Sequence, residues 1–107
     1  MTTETNDGCF EVLWPRAERR QTRKTLAPRL DTLENKTIAF VWDYVFRGDE
    51  IFRTLQEALE QRFPNVRFID YPEFGNIHGP DERRIVAELP QRLKALQVDA
   101  VIVGMAC

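Results

Sequence analysis

The chain has 107 residues, of which 43% are hydrophobic and 30% charged, with a formal net charge of -2. Those values fit one small soluble domain, and the interleaved charge signs argue against a dedicated nucleic-acid binder. No apolar run approaches the ~20 residues needed to span a bilayer, and Met1 to Asp7 lacks the basic start and apolar stretch of a signal peptide, so a cytosolic protein is expected.

Residues 1–8 are small and polar and are expected not to pack. From Cys9 to Pro15, Phe10, Val12 and Trp14 alternate with Cys9, Glu11 and Leu13, which predicts a short strand or an extended arm ended by Pro15. The stretch from Arg16 to Lys24 carries Arg16, Arg19, Arg20, Arg23 and Lys24, and reads either as a docking loop for an anion or partner or as a solvated connector. Leu26, Leu30 and Leu33 follow, with Pro28 and Asp31-Thr32 favouring turns; these leucines are expected to hold the arm, residues 1–35, across the folded unit.

The folded unit, residues 36–107, opens with Thr37 to Trp42, a buried first strand. Asp43-Tyr44-Val45-Phe46-Arg47-Gly48 forms a polar-aromatic loop, and Asp49 is a plausible cap for the helix that follows. That helix presents Ile51, Leu55, Leu59 and Phe63, flanked by Phe52 and Ala58, as an apolar stripe and stops at Pro64-Asn65. Val66 to Tyr71 alternates as a second, half-exposed edge strand. Pro72 to Pro80 is a long Gly/Pro-rich connector. A second helix starts near Asp81 with Ile85, Val86, Leu89, Leu93 and Leu96 on one face. Pro90 lies inside it, marking a kink or a new helix, and the unbroken apolar face favours the kink. Within the Val/Ile-rich run from Val98 to Cys107, Asp99 to Met105 reads as a third strand buried on both faces.

This βαβαβ order, with right-handed crossovers, predicts a three-layer α/β unit with a short parallel sheet of order 2-1-3. It has the form of the first half of a larger flavodoxin- or Rossmann-like domain. Ligands in such sheets bind past the carboxyl ends of the strands where the order reverses, here between the first and third strands. The candidates at that place are Asp43, Tyr44 and Arg47 on one side and Gly104, Met105, Ala106 and Cys107 on the other. Cys107 is the candidate nucleophile: a thiol becomes reactive when a nearby cation, for which Arg47 is available, lowers its pKa, and is inert otherwise. Asp43 is placed to orient a substrate or act as a base, or simply to form a turn. Gly104 allows close approach of a ligand to backbone. The lone His78 has no companion at metal-ligand spacing, and Cys9 and Cys107 stand at opposite ends of the chain, so neither a metal site nor a disulfide framework is expected. There is no Gly-x-Gly-x-x-Gly, Walker loop or Cys-x-x-Cys, so no cofactor is assigned and a nucleotide- or anion-binding role has only the fold behind it.

Three stretches together resemble the UGSC-motif proteins: Phe10 to Arg16, Leu26 to Leu33 leading into Lys36-Thr37-Ile38, and Val98 to Gly104. In that family a selenocysteine or cysteine followed by Gly-Ser-Cys comes directly after the strand that here ends near Gly104. The family often has Asp-Asn after the first strand; Asp43 matches, whereas Tyr44 stands in place of the Asn. The resemblance implies a selenol- or thiol-dependent redox or reductase-type protein acting on a small molecule, with this chain as its N-terminal scaffold, stopping just before the motif at a codon that encodes selenocysteine. The rival reading is a docking module whose last strand is covered by a second copy or a partner subunit.

Overall fold

The computed structural model describes residues 8–18 and 22–105. The elements run β1 (Thr37–Trp42), α1 (Gly48–Arg62), β2 (Arg67–Ile69), a single 3-10 turn (Tyr71–Glu73), α2 (Glu82–Ala95) and β3 (Ala100–Gly104). All strands are parallel in the order β2-β1-β3. β1 pairs with β2 from Thr37 opposite Arg67 to Ala39 opposite Ile69, and with β3 from Ile38 opposite Ala100 to Trp42 opposite Gly104.

Among the described residues β1 is the one element buried at every position, because it is hydrogen-bonded on both edges and covered on both faces. The period of two divides its side chains between two clusters. Phe40 and Trp42 meet Phe52 and Leu55 of α1, with Phe68 and Ile102 from the flanking strands. Ala39 and Val41 meet Leu89 and Leu93 of α2, with Phe74 and Ile77 from the connector. The helices therefore lie on opposite faces, as successive right-handed crossovers in opposite directions require.

Both ends of the β1–β3 pair are tied by carboxylates. At the amino end, Thr37 N–H donates to Asp99 Oδ2 at 2.9 Å and Asp99 N–H donates to the Thr37 carbonyl at 2.8 Å. At the carboxyl end, Met105 N–H donates to Asp43 Oδ1 at 3.0 Å and Asp43 N–H donates to the Gly104 carbonyl at 3.1 Å. These bonds continue the ladder past the last paired residues and fix where the chain leaves β3.

Several expectations need correction. β3 is not buried on both faces: Val101 is 38% and Val103 61% exposed. The reason is that α2 packs over Ala39 and Val41 of the central strand, leaving the same face of β3 bare. The leucines do not pin the arm across the domain, since Leu26 is exposed, Leu30 is 40% exposed and Leu33 alone of the three is half-buried. No strand forms at Phe10 to Trp14, whose apolar side chains are exposed. Asp49 lies in the first turn of α1 and is not its cap; Arg47 holds that position without a side-chain capping bond. The buried stripe of α1 is Phe52 with Leu55, Leu59 and Phe63, while Ile51 is exposed.

The second strand is shorter than expected because Asp70 Oδ1 accepts from Tyr71 N–H and Pro72 follows, together starting the 3-10 turn. α2 runs as one helix with Pro90 inside it, which sets aside a fresh start at that proline.

Candidate functional site

Past β1 the backbone turns sharply. Tyr44 and Phe46 both adopt left-handed conformations, with φ of 60° and 59°, which cost ordinary side chains of the order of 1–2 kcal/mol each. The flanking groups hold Val45 from both sides: its N–H donates to Asp43 Oδ1 at 3.3 Å, and its carbonyl accepts from Trp42 Nε1 at 3.0 Å. The indole of Trp42 lies against the Cα of Gly48, and any Cβ there would clash with the ring. Gly48 is thus a close-approach glycine that opens α1.

Asp43 is the hinge of this arrangement. It is 9% exposed, and its Oδ1 accepts from backbone N–H groups on both the β1 exit loop and the residue after β3. One carboxylate therefore sets both sides of the crevice. Of the candidate residues, Asp43, Gly104 and Met105 are brought together. Tyr44 turns instead onto the α1 face, stacking on Trp42 at 4.6 Å and meeting Tyr71 edge-on at 5.5 Å. Arg47 points to solvent, paired with Glu50 at 3.8 Å. Ala106 and Cys107, including the expected effect of Arg47 on the Cys107 thiol, lie outside the described residues. Gly104 is buried, yet an added Cβ would meet only ordinary contact with Phe52, so close approach does not require a glycine there.

Sequence reasoning missed the aromatic wall beside the site. Trp42, Tyr44, Tyr71 and Phe52 form a continuous group, with Trp42 and Tyr71 edge-on at 4.8 Å. The available signal was the period of β1, which puts Trp42 on the same face as Phe40. At the edge of β1 away from β3, Asn76 forms a backbone bridge with Trp42, and Ile77 N–H donates to the Trp42 carbonyl at 3.3 Å, drawing the connector up to the site. His78 is exposed and 3.7 Å from Glu82. Among the described residues no group of three His, Cys, Asp or Glu side chains is placed to hold a metal ion, and no helix is long and apolar enough to cross a membrane.

The Tyr44 phenol is held above its ordinary value, chiefly by loss of hydration and then by the neighbouring Tyr71 and Asp70. The folded state thus binds this proton more tightly than the unfolded chain, whose phenol titrates at about 10. The resulting stabilisation is fully present below that pH and is lost as pH rises through the higher folded value. Thermal melting between about pH 9 and 11 is expected to show a shallower decline for Tyr44→Phe than for the wild type, and equal declines would contradict this assignment.

A family model described as the UGSC family matches residues 11–107 of the chain. No curated protein and no solved structure gives a match.

Proposed function

Because the chain belongs to the UGSC family, we propose that it is the N-terminal scaffold of a selenocysteine- or cysteine-dependent redox protein of reductase type, with its reactive group delivered from the carboxyl end of β3. The observation that carries this reading is the Asp43 bridge. The family's motif comes directly after this strand, and Met105, the first residue beyond β3, is held by the same carboxylate that shapes the loop past β1. A reactive atom following it would stand beside Asp43, with Tyr44 and Arg47 on the β1 side as substrate contacts and Gly104, Met105 and Ala106 supplying backbone. Cys107 would adjoin the reactive atom or serve as the nucleophilic thiol itself.

The chemistry proposed is a two-step reduction. A selenolate or thiolate attacks an electrophilic atom of the substrate, and the leaving group departs with the bonding pair and takes up a proton. The resolving thiolate of the motif, three residues on, then attacks the selenium or sulfur. An internal S–Se or S–S bond forms, and the second substrate fragment leaves with the pair, also taking up a proton. An external dithiol returns the two electrons. Further strands of a flavodoxin- or Rossmann-like sheet, or a partner subunit, would pair with the free edge of β3 and cover Val101 and Val103.

Alkylation of the native protein with iodoacetamide across pH tests this reading. Modification of the peptide following Val103 is expected already at about pH 5.5, where a thiol of unperturbed pKa reacts little. Labelling of that peptide only at about pH 8 and above would overturn it.

A further inference from the structure

A second recess opens at the same end of the sheet but on the α1 side. Asp49, Arg53 and Gln56 of α1 face Asp70 and Tyr71 at the end of β2 across a cavity of about 300 Å³. The spacing puts the α1 residues at i, i+4 and i+7, one helical face, immediately beside the buried stripe that begins at Phe52. Tyr71 forms the inner wall and connects the recess, through its ring contacts, to Trp42 and Tyr44.

The charges in this recess are of both signs and are not spent on one another. Glu50 and Glu57 lie one turn from Arg53 on the same helix, where ion pairs ordinarily form. Glu50 pairs with Arg47 instead, and among the described residues Arg53 and Asp49 make no ion pair or side-chain hydrogen bond. Asp70 uses Oδ1 to cap the 3-10 turn, and a carboxylate has further lone pairs to offer. A planar guanidinium and two carboxylates lining this recess match a ligand with an anionic and a cationic end. Arg53 suits a carboxylate by its paired N–H groups, and Asp49 with Asp70 suits an ammonium.

We propose that this recess binds a small zwitterion, an amine-bearing carboxylic acid, with Arg53 on the carboxylate and Asp70 and Asp49 on the amine. The proposal concerns binding alone and stands independently of the redox reading.

The test is an NMR titration of the chain with L-alanine, ethylamine and propionate. L-alanine is expected to give saturable amide shifts at Asp49, Arg53, Asp70 and Tyr71 with a Kd on the order of 1 mM. Ethylamine and propionate, each satisfying one end, are expected to bind at least about ten-fold more weakly. Arg53→Gln and Asp70→Asn should each weaken L-alanine by about ten-fold or more, whereas Glu88→Gln on α2 should leave it unchanged. Arg53 and Asp49 are exposed, so an Arg53→Gln or Asp49→Asn variant retains the core, and circular dichroism checks each fold. No saturable shift, shifts centred elsewhere, ethylamine binding as tightly as L-alanine, or an Arg53→Gln variant that binds like the wild type would each overturn the proposal.

Discussion

Replacing Phe40 by alanine is expected to remove most of the fold's stability. The ring is fully buried in the central strand and stacks on Phe52 of α1 at 4.6 Å and on Phe68 of β2 at 5.3 Å, so one side chain joins three elements. Truncation loses the transfer free energy of the ring, leaves a cavity and abolishes both ring contacts, a combined cost of about 3–5 kcal/mol. A domain this size has ~5–10 kcal/mol in total, so the variant should lose about half of its stability or more. Phe40→Leu, which keeps much of the volume, should cost less than about half as much. Urea denaturation checks both: the midpoint should fall steeply for alanine and modestly for leucine, with an unchanged slope. Equal midpoints for Phe40→Ala and the wild type would show that the β1–α1 contact is not the core.

The second large effect is expected at Asp43. Asp43→Ala leaves the Met105 and Val45 N–H groups without their acceptor in a mostly buried place, which costs about 1–3 kcal/mol. The local consequence is greater than the global one. Hydrogen exchange at the Met105 amide should accelerate by at least about ten-fold beyond what the change in overall stability explains, while the Asp43 N–H to Gly104 bond keeps β3 paired. Asp43→Asn retains an acceptor oxygen and should restore most of the protection. If Met105 exchanges no faster in Asp43→Ala once overall stability is allowed for, the carboxylate does not set the exit of β3.

Much of this arrangement was readable from residue patterns. Ile38 to Trp42 is a five-residue apolar run opened by the β-branched Thr37, and such a run between a polar turn and a helical period has few outcomes other than a central strand. The order 2-1-3 follows from two short crossovers of fixed hand. The apolar stripe expected on α1 holds at Leu55, Leu59 and Phe63, all half-buried, and the flanking Phe52 is its fully buried position, whereas Ile51 in the first turn stays 40% exposed. Val101 and Val103 looked like core because β-branched residues in a strand ordinarily find cover. Whether a helix reaches over an edge strand is decided by where that helix crosses the sheet, which residue pattern does not encode.

The geometry of the candidate site was legible only in part. Asp43, Gly104 and Met105 were named from the switch between β1 and β3, and they meet there. Tyr44 was named for the same crevice and turns to the other face, because φ of 60° at a non-glycine residue depends on the tertiary hold of Trp42 and Asp43 on Val45. Asp70 and Arg53 carried no signal, since a strand-ending aspartate and a helix-surface arginine are commonplace until the fold places them across one recess.

The proposed role places a redox-active selenium or sulfur atom at the carboxyl end of β3. Peptide mass spectrometry of the protein isolated from its native source, together with the coding sequence beyond the Cys107 codon, tests this most directly. The expected result is a peptide from Val98 onward that runs through selenocysteine or cysteine and then Gly-Ser-Cys, and that gains two hydrogens on treatment with a dithiol. A peptide with no second thiol or selenol after Cys107, and no change in mass on reduction, would contradict it.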